Sequence, residues 1–254
     1  MDNLSFRQNN KSQILKKFAP ESLSAFSKDQ RAIPNLAKDR KHLEQIESIL
    51  TELPTFHEFR LDDATTMEFL EPESIHLVVT SPPYWTLKKY NDNGRQLGSI
   101  SDYTEFLKEL GKTWLKCFNA LVPGGRLVCV VGDVCLSRRK NKGRHTVIPL
   151  HASIQEQCRK IGFDNLAPII WHKISNAKFE VSGTSSFLGK PYEPNAVIKN
   201  DIEFILMFRK AGGYRSPSTI ERVLSVISEK NHRIWFNQIW TGVTGASTKN
   251  HPAP

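Results

Sequence analysis

The sequence predicts an α/β fold whose ligand site lies at the carboxyl edge of a parallel sheet, and three observations carry that prediction. Leu77-Val78-Val79 is a short apolar, β-branched run of the kind that makes a buried strand. A second such run, Arg126-Leu127-Val128-Cys129-Val130-Val131, follows a helical stripe and the turn formers Pro123-Gly124-Gly125. The order strand, helix, turn, strand is a crossover unit, which implies parallel pairing. The first run also ends abruptly at Pro82 and Pro83, which lack ladder donors and hold the chain extended. Ser81 and Tyr84 are thereby fixed at the end of a strand, where open α/β sheets keep their ligands.

At 254 residues the chain is long enough to bury a full core, and its apolar and charged contents are ordinary for a globular protein. A net charge of +9 favours a polyanionic partner. The four cysteines (Cys117, Cys129, Cys135 and Cys158) have no CxxC pairing and no metal-ligand spacing, which fits buried thiols in a reducing compartment. No apolar run approaches membrane-spanning length and no signal-peptide core opens the chain, so a cytoplasmic location without membrane contact is expected.

The elements follow in order. Residues 1–58 are polar and mixed in charge, with a helical stripe at Leu36, Leu43, Ile46, Ile49 and Leu50, and are expected to form a helical extension packed on the main domain. Asp62-Asp63-Ala64 leads towards the first strand, and an Asp at this place equally suits a helix cap for Thr65 onwards. After the prolines, residues 88–100 are a polar loop, which suits a lid, a DNA contact or plain surface. Asp102 and Glu105 open a helix with Tyr103, Leu107, Leu110, Trp114, Phe118 and Leu121 inward, a packing stripe.

Asp133 follows the second strand on the same edge as Ser81, suited to lining the pocket or capping a loop. Beyond it Arg138, Arg139, Lys140, Lys142 and Arg144 emerge with no acid among them. On this edge such a run suits phosphate binding, whereas elsewhere it would be solvated surface. Residues 149–161 read as a helix stopped by Gly162, followed by a strand over 167–171. The stretch 174–199 has no periodicity. A further strand over 202–208 precedes a short helix with Ile220, Val223, Leu224 and Ile227 inward, then an aromatic segment, Trp235 to Trp240.

Strand, Ser81-Pro82-Pro83-Tyr84, Trp85 resembles the active-site motif of amino-group DNA methyltransferases, in which Asp, Asn or Ser precedes Pro-Pro-aromatic. The Ser form is similar to the cytosine-N4 branch. The resemblance extends over residues 60–254 and implies a Rossmann-like methyltransferase sheet with helices on both faces. It further implies methyl transfer from S-adenosylmethionine to the N4 amino group of cytosine in duplex DNA, within a restriction-modification system. Ser81 Oγ and the Pro82 carbonyl would orient the amino group, Pro83 would fix the loop, and Tyr84 would stack on the flipped base with Trp85 shaping the pocket wall. Asp63 matches the acidic position that faces the adenine end of the cofactor. Trp171-His172-Lys173 resembles a family strand end, with Trp171 as core and Lys173 near DNA. Lys190-Pro191-Tyr192-Glu193-Pro194-Asn195 looks like sequence facing DNA.

The tail, Gly245 to Pro254, is similar to the opening of a motif that precedes the cofactor-binding half in the circularly permuted order of this family. The Gly-rich turn that holds the methionine part of S-adenosylmethionine does not occur in the sequence. The expected fold is therefore permuted and incomplete at its carboxyl end: extension 1–58, catalytic portion 59–210, target-recognition segment 211–254. Either the chain is truncated or a second polypeptide supplies the cofactor half. The isolated chain is expected to bind the cofactor weakly or not at all and to gain activity only with the complementing half, with a cognate restriction endonuclease as a partner by system rather than by contact. Adenine-N6 methylation and a DNA-binding, catalytically incomplete fragment are the rival readings. No cysteine follows a proline, which argues against the covalent chemistry of cytosine-C5 enzymes, and Ser81 with the basic loop argues against protein glutamine methylation.

Overall fold

The computed structural model describes residues 31–87, 96–173, 200–214 and 216–243, and within these everything but the side chain of Lys140. The 190–195 segment, the tail from Gly245, most of the 88–100 loop and the first thirty residues lie outside the described residues. The chain divides into two compact units, residues 1–61 with 215–237 and residues 62–214 with 238–254. Residues 215–237, part of the 211–254 segment that the sequence reading kept apart from the amino-terminal extension, thus cluster with residues 1–61.

That smaller unit has four helices among the described residues: α1 (Ala32–Leu36), α2 (Arg40–Glu52), α5 (Thr219–Leu224) and α6 (Glu229–Trp235). Asp39 caps α2 by accepting from the His42 backbone N–H at 3.2 Å. Ser218 and Glu221 form a reciprocal capping box on α5. Leu36, Ile46, Val223 and Leu224 make a small core, with Ile49 packed against it. Leu50, read as inward from the sequence, is exposed, because the apolar face of α2 meets a narrow partner rather than a broad sheet.

The larger unit holds a mixed sheet with strand order β1 (Ile75–Thr80), β2 (Leu121–Val131), β7 (Ile202–Lys210), β6 (Ile169–His172) and β8 (Ile239–Trp240), and β5 (Phe163–Asn165) also pairs with β7. β1 is parallel to β2 as the crossover requires. β7 runs antiparallel to β2, β5 and β6, so the remaining strands all share one direction. A small hairpin of β3 (Val134–Leu136) and β4 (Thr146–Ile148) stands apart.

Helices α3 (Tyr103–Ala120) and α4 (Leu150–Ile161) bury Phe106, Leu110, Trp114, Leu150, Ile154 and Cys158 against Leu127, Cys129, Val131, Leu206 and Phe208. Each fully buried large apolar side chain is worth about 1.5–3 kcal/mol relative to exposure. Among the described residues this cluster has fourteen buried members against four in the helical unit. Asp102 caps α3 by accepting from Glu105 N–H at 2.8 Å, and Gly162 ends α4 with a left-handed φ of 119°.

Two expectations are corrected. Pro123-Gly124-Gly125 is not a turn ahead of the strand: β2 begins at Leu121 and runs through it, with the register against β1 shifting between Ile75 and Leu77. The extra residues are absorbed as a bulge, and Gly124 takes the positive φ of 76° that this needs. Nor is the first strand buried on both faces. β1 is an edge strand among the described residues, packing Ile75 and Val78 on the core while Leu77 and Val79 are 56% and 63% exposed.

Candidate active site

Strand directions bring the chemistry to one rim. β1, β2 and β6 end there in Ser81, Gly132-Asp133 and Lys173, and antiparallel β7 begins there with Ile202-Glu203-Phe204. Registers Val131↔Phe204 and Trp171↔Glu203 fix these ends side by side.

At the end of β1, Pro82 is buried and the chain turns sharply at Tyr84-Trp85. Trp85 takes a left-handed backbone (φ 49°), a conformation costing a non-glycine residue about 1–2 kcal/mol. The turn is held by the Trp85 indole N–H, which donates to the Ile100 carbonyl at 3.0 Å, and by an edge contact with the Tyr103 ring at 5.2 Å. Trp85 is therefore anchored in packing, and it sets where the preceding Tyr84 stands.

The Tyr84 side chain is half-buried against Gly132, where an added Cβ would come within 3.2 Å of the ring and 3.4 Å of Glu203 Cγ. The Tyr84 ring and the Glu203 side chain thus meet over Gly132. Burial, and after it the negative charge of Glu203, pushes the phenol far above its ordinary range, so it stays protonated at any physiological pH. Glu203 in turn accepts from the Lys173 ammonium at 2.8 Å, and that ammonium lies 5.1 Å from the centre of the Trp171 ring. The sequence reading placed Lys173 near DNA; in the structure its ammonium pairs with Glu203. It also missed Glu203, although an acid inside the apolar strand Ile202–Phe208 was a legible signal.

Asp133 lines the neighbouring strand end and holds His151 at the start of α4, Oδ1 to Nδ1 at 2.6 Å. The imidazole stacks on Phe204 with ring centres 3.9 Å apart. From this anchor the β3–β4 hairpin carries Arg138, Arg139, Lys142 and Arg144 on its tip. Lys142 and Gly143 both have positive φ, the pair a tight primed turn needs, and Asn141 Nδ2 braces it by donating to the Arg144 carbonyl at 3.1 Å and to Thr146 Oγ1 at 2.7 Å.

Asp63 behaves as a turn cap: its carboxylate accepts from the backbone N–H and hydroxyl of Thr65, both at 2.8 Å. Three of the four cysteines are buried. Burial pushes the Cys117 thiol up to about 11 and Cys129 up to about 12, so neither offers a thiolate near neutrality.

What the rim can do chemically is hold a planar, uncharged group against hydroxyl and carbonyl acceptors, with a neutral phenol beside it. Residues 75–254 match the family model N6_N4_Mtase, described as DNA methylase. The chain is 32% identical over 225 residues to the Type II methyltransferase M.MjaI of Methanocaldococcus jannaschii, covering 79% of this chain and 71% of that protein. It is 28% identical over 215 residues to the Type II methyltransferase M.MthZI of Methanothermobacter thermautotrophicus, covering 78% of this chain and 58% of that one. Among solved structures it is similar to a DNA modification methylase of Thermus thermophilus, TTHA0409, crystallised in complex with S-adenosyl-L-methionine. The two share 47% identity at a TM-score of 0.60, over 75% of this chain and 68% of the other.

Proposed function

Since this chain belongs to the N6/N4 DNA methylase family, with its α/β Rossmann-like methyltransferase fold, we propose that it transfers a methyl group from S-adenosylmethionine to the N4 amino group of cytosine in duplex DNA. The coarser statement, a DNA amino-methyltransferase of the restriction-modification type, follows from the family itself.

One observation carries the cytosine reading: the residue ahead of Pro82-Pro83-Tyr84 at the end of β1 is a serine, exposed at the sheet rim. An exocyclic amino group is a poor nucleophile because its lone pair is delocalised into the ring. Acceptors placed against its N–H bonds, here Ser81 Oγ and the Pro82 carbonyl, turn that lone pair towards a methyl donor. A base in a duplex reaches the rim only when flipped out, and an aromatic ring then stacks on it. Tyr84 supplies that ring, and the basic hairpin tip supplies phosphate contacts.

For the cofactor, Asp63 is the one residue of the described chain proposed to face its adenine, and no described glycine lies in a strand-to-helix turn able to take the methionine end. We infer a permuted order in which a complementing segment carries that turn, which would cover the open β1 edge with its exposed Leu77 and Val79. When bound, S-adenosylmethionine supplies the electrophilic methyl group.

Digestion of methylated duplex DNA to nucleosides, followed by mass identification, tests the target. N4-methylcytosine is the expected product, and N6-methyladenine would transfer the reading to the adenine branch.

A further inference from the structure

Tyr84 stands in a slot whose parts come from the ends of three neighbouring strands. Its ring lies so close to Gly132 that a Cβ there would sit 3.2 Å from Tyr84 Cε2 and 3.6 Å from Cδ2. Gly132 does not take a positive φ, so its backbone suits any residue and only the lack of a side chain is used. The same Cβ would meet Glu203 Cγ at 3.4 Å, which makes the Glu203 stem the second wall of the slot. That wall is itself held. Glu203 Oε1 accepts from Lys173 Nζ at 2.8 Å, and the Glu203 side chain is only 14% exposed. Lys173 is tied in turn, its backbone N–H donating to the Asp201 carbonyl at 3.0 Å and its ammonium lying 5.1 Å from the centre of the Trp171 ring. Trp171 Nε1 donates to the Val243 carbonyl at 2.8 Å. Burying a carboxylate is costly unless it is paired, so the ion pair keeps the Glu203 stem in this one place, where an apolar stem would be free to turn.

Resting on the methyltransferase reading, we propose that Gly132, Glu203 and Lys173 are positioning residues that set the plane of the Tyr84 ring for stacking on the flipped base. The anchored turn at Trp85 fixes where the Tyr84 side chain starts, and the slot fixes where its ring ends. A stacking ring acts through geometry. The target amino nitrogen must point at the methyl donor, and the ring sets the tilt of the base on which that line depends. A side chain at position 132 would force the ring aside by a few tenths of an ångström. Since a misplacement of about 1 Å can cost about 100-fold in rate, a shift of that smaller size should cost about tenfold.

The test is made in the intact protein with fluorotyrosine at its five tyrosines, Tyr84→Phe identifying the Tyr84 fluorine signal in the absence of DNA and cofactor. Gly132→Ala, which pushes the ring aside, and Glu203→Ala, which removes the wall, are each expected to move that signal, and either suffices if the other does not fold. In methyl incorporation kcat should fall about tenfold in both, with KM for DNA within about twofold. Glu203→Gln keeps the stem and an acceptor for Lys173, and should recover at least about fivefold of the loss seen in Glu203→Ala. Lys173→Met strands the carboxylate and should lose about as much as Glu203→Ala, while adding Glu203→Gln removes the stranded charge and should restore most of it. A Tyr84 signal unmoved in the folded variants overturns the proposal, because the slot would not hold the ring. A moved signal with unchanged kcat overturns it as well, since the ring plane would not matter. A fall in Glu203→Gln as deep as in Glu203→Ala also overturns it, because the charge and not the stem would be at work. If the unmutated protein methylates no DNA, the functional reading falls, while the fluorine signal still decides whether the slot holds the ring.

Discussion

Asp133 Oδ1 lies 2.6 Å from His151 Nδ1 and also accepts the His151 backbone N–H at 3.3 Å, so one carboxylate ties the end of β2 to the first turn of α4. The β3–β4 hairpin leaves and returns between these two residues. The tie therefore fixes the base on which the basic tip is carried.

Asp133→Ala removes the one oxygen that both His151 contacts share, from a largely buried corner. A lost buried hydrogen-bond partner costs about 1–3 kcal/mol, and in a chain of this size each kcal/mol lowers the melting temperature by roughly 2–4 °C. Thermal unfolding should thus show a fall of several degrees. A melting temperature within a degree of the parent would mean that the His151 ring is held by its stack on Phe204 alone.

The hairpin tip makes a prediction about salt. Each phosphate contact contributes about 0.9 to the slope of log affinity against log salt for duplex DNA. Replacing Arg138, Arg139, Lys142 and Arg144 by alanine should flatten that slope by up to about 3.6, and weaken binding equally for cognate and unrelated duplexes. Affinities measured from low to moderate salt decide the matter, and an unchanged slope would place the phosphates elsewhere.

The cysteines tie pH to stability. Cys117 and Cys129 titrate from an ordinary 9.0 when unfolded to about 11 and about 12 when folded. Their folded values are raised, so the stabilising contribution is complete below pH 9 and is lost as pH climbs through 9 to 12, where the unfolded chain sheds protons that the folded one retains. Denaturant midpoints should fall steadily over that window. Thiol labelling at pH 8 should modify the exposed Cys135 alone in the native protein, and all four residues in denaturant.

Gly124 and Gly143 separate strain from space. Both have positive φ, 76° and 81°, but a Cβ on Gly124 would sit 2.8 Å from the Gly213 carbonyl oxygen, whereas one on Gly143 would meet nothing within 4 Å. Gly143→Ala should cost about 1 kcal/mol, the backbone penalty alone. Gly124→Ala carries the same penalty plus a backbone clash, and should cost at least about twice as much by chemical denaturation. Equal costs would show that the β2 bulge yields freely.

Local patterns were legible. The α3 stripe from Tyr103 to Phe118, the stop of α4 at Gly162 and the parallel β1–β2 pair all follow from spacing and from residues that punctuate a chain. So did the position of Ser81 at the sheet rim, because two prolines end a strand wherever it packs. The short elements were not: β5, β8 and the hairpin strands are two or three residues long, too short for periodicity to register.

The sequence by itself therefore determined the α/β class, the motif at the end of β1, its resemblance to the amino-methyltransferases and the basic run placed beyond Asp133. Only the tertiary structure decided that β7 runs against its neighbours, that Lys173 pairs with an acid, and that Glu203 reaches Tyr84 from a strand about 120 residues away in the chain. The physical reason is one of range. Hydrophobic spacing and proline geometry act over a few residues, so they can be read in order along the chain. The partner of a buried charge is set by strand direction and register, which depend on the whole core that packs around it.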